Sequence, residues 1–216
     1  MNIHSVMTLN AVARRARPAP SPEAPPGPKR DAILRAAIDV FASRGFFNAQ
    51  VADVARAAGV AAGTVYLYFK SKDDLLVSIF ERSMREGLTR GRAAVADLHD
   101  PQERLLRLAR GHLARLGSDR NLAIVFQVEL RQSTKFMERF SATLLRDYLG
   151  LIREAIADGQ RAGLFRSDVK ATAMAKMLFG ALDEMATNWI LSRRRYSLEA
   201  EADMVVDLFI NGAHSR

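Results

Sequence analysis

A short segment carries Thr64, Tyr66 and Tyr68, followed by Lys70 and Lys72. Hydroxyl and ammonium donors suit phosphate oxygens, and a threonine can also meet the methyl group of thymine. Ala62 and Gly63 just before them are small, so a backbone there can approach a polyanion closely. Other reactive residues offer less. Asp183 and Glu184 are adjacent, and a helix sets neighbours about 100° apart, so they do not close on a substrate. A pair with an arginine such as Arg131 is their expected use. His4, His99, His112 and His214 show no metal-binding spacing, and no Glu-x-x-His pair occurs. With no cysteine, zinc fingers, iron–sulfur clusters, disulfides and thiol nucleophiles are excluded. These residues point to binding rather than catalysis, with no metal and no cofactor.

The donors of residues 64–72 need helices to position them. Ile33, Ala37, Ile38 and Phe41 recur at helical spacing and Gly45 supplies a stop, which predicts a helix over residues 29–44. A short helix from Gln50 to Ala58 carries Val51, Val54 and Ala55 on one face. Ala58-Gly59-Val60 makes a tight turn, and a third helix covers Ala61 to Tyr68. Two short helices joined by a glycine-containing turn form a helix-turn-helix unit, whose second helix enters the major groove of DNA. Gln50, Ala62, Gly63, Thr64, Tyr66, Tyr68 and Lys72 are the residues expected to meet DNA.

Composition agrees. The 216 residues are 49% hydrophobic and 26% charged, the balance of a folded globular chain. Six of the seven prolines fall between Pro18 and Pro28, so residues 1–28 read as a disordered Pro/Arg-rich tail. Residues 29–216 hold only Pro101, and the frequent turn signals that strands need are missing, which makes the chain all-α. The net charge of +8 divides as +2 in the tail, +4 in residues 29–72 and +2 in residues 73–216. A small basic domain joined to a large, nearly neutral one suggests a polyanion at one end and a different task at the other. No apolar run approaches the roughly 18 residues of a membrane span, so no membrane partner and a cytoplasmic location are expected.

The run Phe46 to Leu76, FFNAQVADVARAAGVAAGTVYLYFKSKDDLL, closely resembles the DNA-binding domain of the TetR family. The resemblance implies a homodimeric repressor that binds double-stranded operator DNA. It would have a three-helix domain at residues 29–72 and a larger helical effector-binding and dimerisation domain at 73–216. The family usually places a hydroxyl residue at the start of each short helix, whereas Gln50 and Ala61 stand there in this chain.

In the larger domain, Ser71 starts a helix that runs to about Leu98, and Pro101 starts another. An apolar helix follows Asp119, then helices at about 135–162, 168–193 and 198–212. Met174, Met177, Leu178, Ala181, Leu182, Met185 and Trp189 form one apolar stripe, and Leu198, Ala202, Val205, Phe209 and Ala213 form another. Such stripes serve either one monomer's core or a four-helix bundle between two chains. The resemblance favours the bundle, with Met174, Ala181, Met185, Val205 and Phe209 at the interface.

NLAIVFQVELRQS (Asn121–Ser133) and FGALDEMATNWI (Phe179–Ile190) are similar to the branch of the family that governs fatty-acid degradation and responds to long-chain acyl-CoA. That ligand needs an apolar tunnel and arginines at its mouth. The resemblance assigns Asn121, Phe126, Gln127, Leu130, Arg131, Phe140, Met177, Phe179 and Trp189 to the effector site. Arg120, Arg131, Arg139 and Arg146 would lie near the head group. The alternative in the same family is a repressor of an efflux pump that senses a lipophilic drug. A cationic drug would favour acidic and aromatic residues, yet aromatics make up only 7% of the chain.

Overall fold

The computed structural model describes residues 27–129, 143–194 and 196–212, and every regular element among them is helical. The N-terminal part holds α1 (Pro28–Arg44), α2 (Val51–Ala57) and α3 (Ala62–Tyr68). α4 (Lys72–Val95) leads into α5 (Pro101–Ser118) and α6 (Arg120–Ile124), which continues as a π-helical turn over Val125–Glu129. α7 (Leu144–Arg161), α8 (Ala171–Leu191) and α9 (Glu201–Asn211) complete the described chain.

Local chemistry explains the boundaries. Pro28 and Pro101 occupy first-turn positions, where a missing N–H costs nothing. Ser71 caps α4 by accepting the Asp74 N–H at 3.1 Å, and Asp100 caps α5 through Gln102 and Glu103. The turns after α1 and α2 use Gly45 (φ 77°) and Gly59 (φ 66°), backbone angles that L side chains rarely adopt. The predicted helix after Asp119 is irregular, changing to a π turn after Ile124. Residues 1–26 of the expected tail and the expected helical stretch 135–142 lie outside the described residues.

Ile33, Leu34, Ala37 and Phe41 of α1 are buried together with Val54, Val65, Phe69, Leu75 and Leu76, at the N-terminal end of one continuous core. Truncating a fully buried phenylalanine such as Phe41 costs about 3–5 kcal/mol. α1 also packs on α4, α6 and the π turn, which joins the two halves. Polar links cross the same seam. Arg82 pairs with Asp31 at 2.5 Å, Arg35 with Asp119, and Asn121 donates to Asp39 at 2.8 Å.

Candidate DNA-reading helix and ligand cavity

α3 is anchored by the fully buried Val65, and it exposes Ala62, Gly63, Tyr66 and Leu67 on the opposite side. Tyr66 is 55% exposed and its hydroxyl is available to a backbone phosphate, while Gly63 has nothing within 4 Å of a Cβ position. Thr64 is half-buried beside this face. Tyr68 turns partly inward and packs on the core next to Phe69, their rings 6.5 Å apart. Gln50 is exposed at the start of α2, where its backbone N–H donates to Asp53 at 3.1 Å. Asp53, also paired with Arg44 (3.1 Å) and Arg56 (3.3 Å), thus satisfies a donor at the end of a helix that lacks a hydroxyl cap.

Lys72 does not take the phosphate-binding role expected of it. Its Nζ donates to the carbonyls of Phe46 (2.7 Å), Phe47 (3.1 Å) and Ala49 (2.9 Å), and it sits 4.7 Å from the centre of the Phe46 ring. An ammonium has three protons, so its donors are used within the protein. Lys72 fixes the loop before α2 rather than standing as a bare charge for phosphate.

A cavity of about 370 Å³ opens among α4, α5, the π turn, α7 and α8. Met84, Leu108, Leu116, Phe126, Leu145 and Phe179 give it apolar walls. Small residues line it on two neighbouring helices: Gly87, Gly91 and Ala94 on α4, and Gly111 and Ala114 on α5. Among the described residues three arginines border it. Arg90 and Arg107 are exposed, and Arg115 reaches inward to donate to the Ser83 hydroxyl, with Glu86 at 3.5 Å. Burial lowers the pKa of Arg115, Glu86 opposes that, and the positive Arg90 adds to it. Arg90 has no hydrogen-bond or ion-pair partner among the described residues. Two exposed cations at one opening suit an anionic guest.

The deeper polar groups are neutral or paired. His112 Nδ1 lies 3.2 Å from the Tyr148 hydroxyl, and both rings pack edge-on to Phe179. Burial, helped by Arg115, pushes His112 down to about 4, while burial raises the Tyr148 phenol. The imidazole still borders the cavity, so part of its surface stays open despite the surrounding protein. Gln127 donates to Asp183 at 2.5 Å and accepts from the Thr187 hydroxyl at 3.3 Å. Glu184 accepts from Asn188 at 2.9 Å.

Phe126, Gln127 and Phe179 thus line the cavity as expected residues. Asn121 does not, because its amide bridges to Asp39 of α1. Trp189 packs beneath Arg120 (5.0 Å) and donates to the Tyr196 carbonyl at 3.1 Å, away from the cavity. Met177 is 66% exposed on the outer side of α8. Leu130, Arg131 and Phe140 lie outside the described residues, as does Arg139. Arg120 donates to the Trp189 and Ile190 carbonyls at the end of α8, and Arg146 is exposed beside Asp147. Among the described residues the cavity's arginines are Arg90, Arg107 and Arg115, which sequence reasoning missed. The available signal was glycine at Gly87, Gly91 and Gly111 inside helices, where it is disfavoured unless space is needed.

The expected interface residues also separate. Met174 and Val205 are only 9% and 6% exposed, buried within the chain's own core, while Met185 and Phe209 are half-buried. Ala181 is exposed, and Met177, Leu191, Met204 and Leu208 are apolar side chains left facing outward. Met174 and Val205 thus belong to the core of a single chain, whereas Ala181, with Met177 on the same helix, stands on the open apolar surface.

Among the described residues no helix is long and apolar enough to cross a membrane, and no cluster of metal-ligating side chains occurs. Residues 33–79 match the family model for bacterial regulatory proteins of the tetR family, and residues 80–212 match the C-terminal region of YsiA-like proteins. The fatty acid metabolism regulator protein of Bacillus subtilis is 34% identical over 189 residues, covering 88% of this chain and 97% of that protein. The fatty acid degradation regulator FadR of Bacillus halodurans is 38% identical with a TM-score of 0.84, covering 89% of this chain and all of that one. FadR of Bacillus subtilis, solved in complex with stearoyl-CoA, is 34% identical with a TM-score of 0.81 over 85% of this chain and 99% of that one. With its helix-turn-helix, its helical second half and these matches along nearly its whole described length, the chain belongs to the TetR family of bacterial regulatory proteins.

Proposed function

We propose that this protein is a cytoplasmic homodimeric repressor of fatty-acid-degradation genes, that it leaves a palindromic operator when a long-chain acyl-CoA fills the cavity, and that it catalyses no reaction. The observation that carries the effector is the pairing of apolar walls with Arg90 and Arg107 at the opening. An acyl chain fits the walls, and the phosphates of the head group fit the arginines. The likeness to a regulator bound to stearoyl-CoA supports the same ligand class. A cationic drug fits less well, since Arg90, Arg107 and Arg115 repel it and the lining carboxylate, Asp183, already accepts from Gln127.

On DNA, α3 takes the reading role through Ala62, Gly63, Thr64 and Tyr66, with Tyr68 and Gln50 beside it. Two copies, joined through the outward apolar surface around Met177 and Ala181, present two such helices to successive major grooves. The deciding experiment is calorimetry with palmitoyl-CoA and palmitate, paired with gel-shift release from an operator upstream of the gene. Palmitoyl-CoA should bind at least about tenfold more tightly than palmitate, a difference of about 1.4 kcal/mol. Equal affinity, or no binding of either, refutes the acyl-CoA reading.

A further inference from the structure

We infer that Glu129 is the positioning residue through which occupancy of the cavity reaches the DNA-reading helices; this rests on the effector reading above. Glu129 ends the π turn whose Phe126 and Gln127 line the cavity. Its side chain is buried, and Oε2 accepts the Phe46 N–H at 2.6 Å. Phe46 follows the Gly45 turn and leads through four residues to α2. The Phe46 carbonyl accepts from Lys72 at 2.7 Å. One loop residue is therefore held through its N–H by the cavity-lining turn and through its carbonyl by the first residue of α4.

The other polar links across the seam, Arg82–Asp31, Arg35–Asp119 and Asn121–Asp39, involve exposed or half-exposed side chains. The link through Glu129 joins two buried groups. Its element is also suited to two states. A π turn closes its hydrogen bonds over five residues rather than four, is rare inside α-helical chains and recurs at functional sites. Shifting its register by one residue moves those that follow by about 1.5 Å along and 100° around the axis, which no 2.6 Å hydrogen bond survives. Phe126 packs on Phe80 of α4 with ring centres 5.3 Å apart, and Gln127 is held by Asp183 and Thr187 of α8. A guest chain that displaces Phe126 and Gln127 shifts the turn, withdraws Glu129 from Phe46 and frees the loop that places α2 and α3.

The test uses the full chain as wild type, Glu129→Ala and Glu129→Gln, with operator and palmitoyl-CoA affinities measured separately and together. Without ligand, Glu129→Ala should bind operator about tenfold more weakly, and palmitoyl-CoA should then weaken it little further. The same variant should bind palmitoyl-CoA about threefold more tightly without DNA, because a contact favouring the other state is gone. A purely structural loss does not tighten a remote ligand. Glu129→Gln, whose amide oxygen still accepts the Phe46 N–H, should behave much as wild type. In the wild-type chain, palmitoyl-CoA should speed hydrogen exchange at the Phe46 amide by about tenfold, a readout that stands even if Glu129→Ala fails to fold. Full ligand response in Glu129→Ala, unchanged or weaker palmitoyl-CoA binding by it, or unchanged exchange at Phe46 overturns the inference alone. A wild type that binds no palmitoyl-CoA overturns the effector reading, and this inference with it.

Discussion

Replacing Gly111 by leucine should make a repressor that is more stable and deaf to its ligand. Gly111 lies within α5, borders the cavity and has nothing within 4 Å of its Cβ position. Glycine inside a helix is about 0.8–1.0 kcal/mol less favourable than a good helix former. Gly111→Leu should therefore raise the melting temperature by roughly 2–4 °C in a chain of this size. A leucine side chain occupies on the order of 100 Å³, judged by the voids that Leu→Ala changes leave. That is roughly a quarter of the 370 Å³ cavity. Its four carbons exclude about four carbons of a guest chain, and at about 0.8 kcal/mol per methylene some 3 kcal/mol of binding is lost. Acyl-CoA affinity should fall by a factor on the order of 100. Operator binding without ligand should not change, because α5 does not carry the DNA-reading face. Thermal melting, calorimetry and gel shift with palmitoyl-CoA measure the three effects on one preparation. If Gly111→Leu is released from DNA at the same palmitoyl-CoA concentration as wild type, the ligand does not occupy this cavity.

Three further outcomes follow from named contacts. Lys72→Ala removes the donor to three loop carbonyls and should destabilise the chain by about 2–4 kcal/mol; an unchanged melting temperature with a salt dependence of DNA binding lower by about one unit would instead show a phosphate contact. His112 titrates at about 4 when folded against 6.5 when unfolded, so the unfolded chain takes up the proton first as pH falls. Stability should drop through that window by up to about 3 kcal/mol and then level off, and His112→Phe should melt with a flatter pH profile; parallel profiles refute the assignment. Ala181→Glu places a charge on the exposed apolar side of α8 beside Met177 and should give monomers in sedimentation; an intact dimer locates the interface elsewhere.

The helix-turn-helix was legible in the sequence because its signals are local. Apolar spacing in residues 33–41, glycine at Gly45 and Gly59 and the short run to Tyr68 fix each element by contacts within a few residues. The role of Lys72 was not legible, since its carbonyl partners lie 23 to 26 positions earlier and only tertiary packing brings them within reach. The cavity arginines stayed hidden for a related reason. Arg120 and Arg146 stand in or near apolar segments, as do Arg90, Arg107 and Arg115, and which way each points depends on how α4, α5 and α7 pack. Apolar periodicity on α8 finds the buried stripe of Met174, Leu178, Leu182 and Trp189 but does not say whether the partner is α7 of the same chain or a second copy.

Release of DNA by a ligand requires that the seam between the halves be strong enough to fix α2 and α3, yet weak enough for binding energy to shift. The exposed pairs Arg82–Asp31 and Arg35–Asp119 meet the second condition, because surface ion pairs contribute about 0–1 kcal/mol each. A hydrogen bond to a charged group contributes about 1.5–3 kcal/mol, which sets the Phe46–Glu129 link above those two ion pairs. Tenfold weaker operator binding needs only about 1.4 kcal/mol of coupling. Two chain methylenes buried in one state and not in the other supply that much, at about 0.8 kcal/mol each. The cavity is therefore large compared with the coupling it must deliver. Most of the energy of a long chain can go into affinity, while the small part exerted on Phe126 and Gln127 is enough to move the equilibrium.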